Sequence, residues 1–136
     1  MTLTMSLSMS NSILVVEDND DILLLLKMVL ESQGYKVETA NNGKEALKSI
    51  EKDQPQLILM DIMMPETSGL QISRTIKEEL DGKSIPILLV SAVDRLKDEQ
   101  LSNSMADGII YKPFDLDELV YRVDSLTSKP EAVYQV

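Results

Sequence analysis

The chain has 136 residues, of which 43% are hydrophobic and 26% are charged, and its formal net charge at pH 7 is -10. This size and balance are those of one globular domain with a buried core, and the negative charge argues against nucleic acid and anionic membranes as direct partners, because their phosphates are repelled. The sequence contains neither cysteine nor histidine, which excludes disulfides, a zinc site and mechanisms that need an imidazole base.

The sequence shows no sign of a membrane segment or a leader for export. No apolar run approaches the roughly 18 residues of a membrane span, and the first residues lack the basic and apolar regions of a signal peptide. We therefore expect no membrane insertion and a cytoplasmic location. Residues 1–10 (MTLTMSLSMS) alternate apolar and polar side chains, and residues 1–11 are interpreted as an N-terminal extension. We expect a disordered leader; the alternative is an amphipathic strand that covers an exposed edge or an apolar patch.

Strands and helices are predicted to alternate along the rest of the chain. In chain order they are strand 13–16, helix 21–33, strand 35–40, helix 44–52, strand 57–60, helix 70–80, strand 85–90, helix 94–105, strand 109–111 and helix 116–126. Short apolar runs predict the strands, and apolar residues spaced three or four apart predict the helices. The strand YKVETA is the least apolar and is expected at an edge. This alternation predicts an α/β fold, a doubly wound parallel sheet with helices on both faces, (βα)5.

Polar residues follow four of the predicted strands at the point where each apolar run ends. They are Glu17, Asp18, Asp61, Ser91 and Lys112. In a parallel sheet of this kind, ligands bind outside the carboxyl ends of the strands. We therefore expect three carboxylates, a hydroxyl and an ammonium group to share one pocket.

Three ionised carboxylates in one pocket require a cation among them. Like charges about 4 Å apart repel by about 4 kcal/mol at an effective dielectric constant of about 20. Ligation by oxygen alone suits Mg²⁺ or Mn²⁺, which keep several waters and accept carboxylate and phosphate oxygens. The cation and Lys112 would neutralise a phosphoryl group, and Ser91 would donate a hydrogen bond to it. Asp61, which stands apart from the Glu17–Asp18 pair, is the predicted nucleophile and would form an aspartyl phosphate.

The segments VVEDN, LILMDIMMPETSG, LLVSA and YKPF together resemble the signatures of the response-regulator receiver domain of two-component signalling. The resemblance covers residues 12 to about 127, and its specificity comes from four motifs in the right order, each at a strand end. It implies a flavodoxin-like fold with strand order 2-1-3-4-5. It also implies a receiver domain over 12–128 and a C-terminal tail over 129–136.

The resemblance implies a role for each residue of the pocket. Asp61 is the expected phosphoacceptor, and Glu17, Asp18, Asp61 and the backbone carbonyl of Met63 are the expected metal ligands. Ser91 and Lys112 are expected to contact the phosphoryl group. The Lys112-Pro113 peptide bond is expected to be cis, which is otherwise a minority state for such bonds.

The sequence departs from the family pattern at the switch and at the positions that flank the hydrolytic water. The position three before Lys112, usually Tyr or Phe, is Ile109. Tyr111 falls on the same face of that strand and is a candidate substitute for the switch aromatic, together with the Ser91 hydroxyl. Met63 and Val93 occupy the two positions where polar side chains orient water in receivers, so we expect a long-lived aspartyl phosphate.

The implied function is a phosphorylation-dependent switch that catalyses only its own phosphorylation and slow dephosphorylation. The implied upstream partner is a sensor histidine kinase or a phosphotransfer protein that docks near the first helix. Because only a short tail follows the last predicted helix, we expect the downstream partner to be an unidentified protein that contacts the fourth helix, fifth strand and fifth helix. The charged residues on that face are Arg95, Lys97, Asp117 and Arg122. They could pair in a weak homodimer or be solvated, so the sequence leaves both a monomer and a weak homodimer open.

Two other classes share parts of this pattern. A flavodoxin-like flavin binder would need a Ser/Thr/Gly-rich phosphate loop after the first strand, where this chain has Glu-Asp-Asn-Asp-Asp. A Mg²⁺-dependent phosphohydrolase with an Asp nucleophile is chemically closer. Such enzymes need a second acid two residues after the nucleophile, where this chain has Met63.

Overall fold

Five strands and five helices alternate along the chain in a computed structural model that describes residues 12–92 and 96–127. The strands are β1 Ser12–Val16, β2 Lys36–Ala40, β3 Leu57–Asp61, β4 Ile87–Ser91 and β5 Gly108–Tyr111. The helices are α1 Asp20–Ser32, α2 Gly43–Lys52, α3 Gly69–Glu79, α4 Asp98–Ser104 and α5 Leu116–Leu126. The predicted extension and tail, Val93 and Arg95 lie outside the described residues.

All strand pairs are parallel, and the strand order is β2-β1-β3-β4-β5. The prediction of a doubly wound, flavodoxin-like sheet is therefore confirmed, as is the edge position of β2. Every residue of β1, β3 and β4 is buried, whereas most of β2 is exposed. This agrees with the apolar runs in the sequence, because a strand covered by helices on both faces needs apolar residues throughout.

The hydrophobic core forms two layers, one on each face of the sheet. Alternate residues of a strand point to opposite faces, so Leu14 and Val16 belong to one layer and Ile13 and Val15 to the other. Helices α2, α3 and α4 pack on the first layer, and α1 and α5 pack on the second. No helix among the described residues is both long enough and apolar enough to span a bilayer.

Polar side chains cap the helices that begin near the carboxyl ends of the strands. Asn19 accepts a hydrogen bond from the backbone N–H of Ile22 at 3.0 Å, and Asp115 accepts one from Glu118 at 2.7 Å. Ser68 caps α3 by accepting a hydrogen bond from the N–H of Leu70 at 3.1 Å. These caps satisfy N–H groups that have no partner within the helix and so set where each helix begins.

The fourth helix is shorter than predicted. The sequence predicts a helix over 94–105, but α4 begins at Asp98, and Lys97 before it has an extended backbone with ψ of 147°. The N–H of Lys97 is bonded to the side chain of Gln100 at 3.0 Å, which starts the helix there. The helix ends at Ser104, and the next residue, Met105, has a left-handed backbone with φ of 62°. Its predicted length rested on sparse leucines that do not define a boundary.

The carboxyl end of α4 is bound to α3. The Ser73 hydroxyl donates to the carbonyl of Ser104 at 2.8 Å, and Arg74 donates to the carbonyl of Asn103 at 2.9 Å. One turn later, the buried ammonium group of Lys77 lies 2.9 Å from the Asp107 carboxylate. Consecutive turns of α3 therefore bind the last residues of α4 and the short segment between α4 and β5.

Candidate functional site

The predicted site residues meet at the carboxyl edge of the sheet. Glu17 and Asp18 directly follow β1, Asp61 ends β3, Ser91 ends β4, and Lys112 directly follows β5. Backbone pairing continues past β1 and β5 and holds two of these residues. The N–H of Glu17 donates to Ala40 at 3.1 Å, and the N–H of Lys112 donates to Ser91 at 2.7 Å. Because the strands are parallel and in register, all five residues lie at the same edge.

Three carboxylates form a compact cluster at this edge. One oxygen from each of Glu17, Asp18 and Asp61 lies within 4.8 Å of the others. Glu17 and Asp61 are 3% and 5% exposed, whereas Asp18 is exposed. The cluster therefore opens to solvent on the Asp18 side, which is where a ligand can enter.

Lys112 is the cation that faces this cluster. Its ammonium group lies 3.5 Å from Oδ2 of Asp61 and 4.0 Å from Oε1 of Glu17. One positive charge against three carboxylates leaves the cluster negative. Attraction to a further cation follows from this excess charge.

The surroundings of Glu17 favour its protonated form. The pKa of Glu17 is raised from 4.5 to about 7, chiefly by burial and also by the neighbouring charge of Asp61, against the lowering effects of the Asn19 N–H and the charge of Lys112. The bond from Asn19 to Glu17 is 3.1 Å long. Three carboxylates lie within 4.8 Å of one another, and the pKa of one of them, Glu17, is raised. A hard divalent cation such as Mg²⁺ prefers oxygen ligands and would stabilise their ionised forms. The residues present therefore fit the predicted metal.

The loop after β3 holds the Asp61 side chain. The N–H of Met63 donates to Oδ1 of Asp61 at 3.1 Å, and the N–H of Ile62 donates to Val90 at 2.9 Å. The Met63 side chain is 57% exposed, so its thioether lies at the open side of the loop. The carbonyl of Met63 as a metal ligand stays a prediction.

Ser91 and Tyr111 lie side by side at the ends of neighbouring strands. They are opposite each other in the β4–β5 register, and Ser91 is fully buried. Ile109 packs against the α2–α3–α4 layer of the core, and Tyr111, two residues later, is half-buried on the same face. Ile109 therefore occupies the expected position of the switch aromatic, and Tyr111 lies two residues nearer the carboxyl edge of the sheet. The Lys112-Pro113 bond that follows is cis.

The charged residues considered for a dimer contact differ in exposure and in hydrogen bonding. Lys97 and Asp117 are exposed at the beginnings of α4 and α5. Arg122 instead donates to the carbonyl of Ile109 within the same chain at 3.0 Å. Its guanidinium group is thus engaged intramolecularly on β5.

Two contacts that matter to the site were not predicted from the sequence. Asn19 donates its N–H to Glu17 as well as capping α1, and its position two after Glu17 was a usable signal. Gly69, at the start of α3, donates its N–H to the carbonyl of Ile62 at 2.9 Å, next to Asp61. The contact between Gly69 and the end of β3 was not predicted from the sequence, because it depends on where α3 packs.

Comparison with known proteins identifies one family and several relatives that resemble this chain. The response regulator receiver domain family matches residues 13–124. The alkaline phosphatase synthesis transcriptional regulatory protein PhoP of Bacillus subtilis is 36% identical over 124 residues, which are 90% of this chain and 51% of PhoP. The chain thus spans about half the length of this curated relative.

Solved structures agree in fold. A putative response regulator from Chloroflexus aurantiacus is 30% identical with a TM-score of 0.79, covering 86% of this chain and 97% of its own. The receiver domain of a Pseudomonas aeruginosa sensor histidine kinase is 28% identical with a TM-score of 0.77, covering 86% and 97%. That structure has a magnesium ion coordinated in its active-site cleft.

Proposed function

The chain belongs to the response-regulator receiver family, and on that premise we propose that it is a phosphorylation-dependent switch in which Asp61 accepts a phosphoryl group. The observation that carries the proposal is the meeting of Asp61 with Glu17, Asp18 and Lys112 at the carboxyl edge of the sheet. This arrangement provides a nucleophile, a cation-binding face and a fixed positive charge at one point. Those are the parts that phosphoryl transfer requires, because its catalysis consists largely of positioning and charge stabilisation.

In the proposed reaction, an oxygen of the Asp61 carboxylate attacks phosphorus in line with the leaving group. The new P–O bond forms as the P–N bond to a donor histidine breaks, and the imidazole leaves with the electron pair. Glu17, Asp18, Asp61 and the Met63 carbonyl would hold Mg²⁺, which would supply positive charge to the phosphoryl oxygens. Mn²⁺ is expected to substitute.

Two residues of this chain are proposed to hold the phosphoryl group from the side of β4 and β5. Lys112, already 3.5 Å from Asp61, would pair with one phosphoryl oxygen. The Ser91 hydroxyl would donate to another. Movement of that hydroxyl toward the phosphoryl group is the proposed switch. Tyr111, opposite Ser91 in the register, is proposed as the aromatic residue that responds, because Ile109 stands where the family usually has the aromatic.

The upstream partner is proposed to be a sensor histidine kinase or a phosphotransfer protein that docks on α1. Three large apolar side chains on this helix are exposed: Leu24 (57%), Leu25 (48%) and Met28 (59%). Their position on the helix that begins beside Asp18 would place a partner helix next to the site. Association of this type buries exposed apolar surface.

Downstream, an unidentified protein is proposed to contact the face formed by α4, β5 and α5. The intramolecular bond of Arg122 supports a monomer or a weak homodimer, because this charge is already engaged. The excess of acidic residues supports the absence of direct nucleic-acid contact by this segment. We also propose a cytoplasmic location and no activity beyond the domain's own phosphorylation and dephosphorylation.

A Mg²⁺-dependent phosphohydrolase is the second candidate, and Met63 argues against it. Such an enzyme needs an acid two residues after the nucleophile to protonate the leaving group, and an exposed thioether cannot donate a proton. The aspartyl phosphate is therefore expected to accumulate rather than turn over.

Incubation with a small phosphodonor and Mg²⁺, followed by intact mass measurement, tests the proposal. We expect a gain of one phosphoryl group in the wild type and in Asp117→Asn, which removes an exposed carboxylate of α5, but none in Asp61→Asn. Absence of the gain in the wild type, or its survival in Asp61→Asn, would overturn the assignment.

A further inference from the structure

The first turn of α3 lies directly against the backbone of Asp61. A Cβ atom built on Gly69 would overlap the carbonyl oxygen of Asp61 and would lie 2.9 Å from the Cα of Ile62. Atoms that close are repulsive, and both are backbone atoms of a central strand end, which cannot rotate away. The glycine is thus required by the close approach of the helix to the strand end.

The same turn is bonded to the residue after Asp61. The N–H of Gly69 donates to the carbonyl of Ile62 at 2.9 Å, and the N–H of Ile62 donates to Val90 at 2.9 Å. The strand end is thereby held between β4 on one side and α3 on the other. The Asp61 carboxylate, in turn, is held by the N–H of Met63 at 3.1 Å.

We propose that Gly69 is a positioning residue for phosphoryl transfer: it lets α3 rest against the Asp61 backbone and so fixes where the carboxylate points. The proposal rests on the function proposed above. A side chain at this position has to push the helix or the strand end outward, which changes the placement of Asp61 relative to Lys112. Misplacement of a reacting group by about 1 Å can cost roughly 100-fold in rate.

Gly82, which follows the carboxyl end of α3, provides a matched control. The N–H of Gly82 donates to the carbonyl of Ile76 at 3.0 Å. A Cβ atom there would lie 2.6 Å from Cγ2 and 2.8 Å from the carbonyl oxygen of Ile76. Gly82→Ala therefore creates a similar clash with the backbone of the same helix, at Ile76, but away from Asp61.

Gly69→Ala and Gly82→Ala are compared with the wild type in three measurements: urea denaturation, the rate of phosphorylation by a small phosphodonor with Mg²⁺, and amide NMR shifts of the metal-free protein. We expect both variants to lose stability. Only Gly69→Ala should slow phosphorylation by tenfold or more and shift the Ile62 and Met63 amides. Equal rates and unmoved amides in Gly69→Ala, or equal slowing by Gly82→Ala, would overturn the positioning role.

Ser68→Ala keeps the test decisive if Gly69→Ala does not fold. It removes only the cap on the Leu70 N–H and loosens the turn that contains Gly69. We expect slower phosphorylation with shifted Ile62 and Met63 amides; an unchanged rate and unchanged amides would contradict the proposal. A wild type that takes up no phosphoryl group refutes the proposed function. The amide shifts of the metal-free protein test the position of Asp61 independently of phosphorylation.

Discussion

The ammonium group of Lys112 lies 3.5 Å from the carboxylate of Asp61, one of the three carboxylates of the cluster. Lys112 therefore neutralises part of the charge of the cluster and at the same time repels any cation that enters it. This double effect gives the first prediction.

Replacing Lys112 with Met should slow phosphorylation by at least tenfold, because the charge facing the transferred group is lost. The same variant should bind Mg²⁺ several-fold more tightly, since about 1 kcal/mol or more of repulsion between the two cations is removed. Calorimetric titration with Mg²⁺ and a phosphodonor rate assay give the two values. Lys112→Arg retains the charge and is the control; weaker Mg²⁺ binding by Lys112→Met would contradict the prediction.

The second prediction concerns pH and the metal-free protein. The pKa of Glu17 is raised from 4.5 to about 7, so the folded state holds this proton more tightly than the unfolded state does. The stabilisation is complete below pH 4.5 and is lost as pH rises through about 7, and the difference amounts to roughly 3 kcal/mol at most. Urea denaturation at pH 5 and pH 8 without metal should show this fall.

Glu17→Gln is the control for that measurement, because it cannot ionise. It should be less sensitive to pH than the wild type and relatively more stable at pH 8. Adding Mg²⁺ at pH 8 should restore stability to the wild type more than to the variant. If both proteins respond to pH alike, burial of Glu17 does not control this dependence.

The third prediction is slow loss of the phosphoryl group. Met63, with its exposed thioether, and Val93, outside the described residues, cannot hold a water in line. A Met63→Asn, Val93→Glu double variant should release phosphate at least tenfold faster than the wild type, because orientation of water is restored. Phosphate release after removal of the donor measures both rates. A wild type that already releases phosphate as fast as the variant contradicts the prediction.

The fourth prediction concerns the attachment of α4 to α3. Arg74→Ala removes the bond to the Asn103 carbonyl and should speed amide hydrogen exchange in residues 102–106 by roughly fivefold, equivalent to about 1 kcal/mol. Glu78→Gln weakens the exposed Arg74–Glu78 ion pair and leaves the Asn103 bond. It should change exchange little. Similar acceleration by both variants would show that the ion pair, and not the bond across the helices, holds this end.

The strands and the strand-end residues were predictable because they depend on short stretches of sequence. A strand buried on both faces needs an uninterrupted apolar run, and the first polar residue after the run marks its carboxyl end. Asp61 and Ser91 end their strands, as observed. The parallel arrangement then brought their neighbours Glu17 and Lys112 to the same edge.

Other features depend on contacts between distant residues and could not be predicted. The beginning of α4 depends on a bond between Lys97 and Gln100 rather than on its sparse leucines. Two contacts depend on where α3 packs: the close approach of Gly69 to the Asp61 backbone, and the hydrogen bond from Ser73 to α4. The raised pKa of Glu17 depends on its degree of burial, which its sequence neighbours do not reveal.

Chemical location of the phosphoryl group tests the central claim most directly. After phosphorylation with a small phosphodonor and Mg²⁺, borohydride reduces an aspartyl phosphate to homoserine, which peptide mass spectrometry identifies by position. We expect homoserine at position 61, the last residue of β3, and aspartate at 18 and 107 in the same sample. Homoserine at another carboxylate, or intact aspartate at 61 in a protein that has gained a phosphoryl group, would contradict the assignment of Asp61 as the phosphoacceptor.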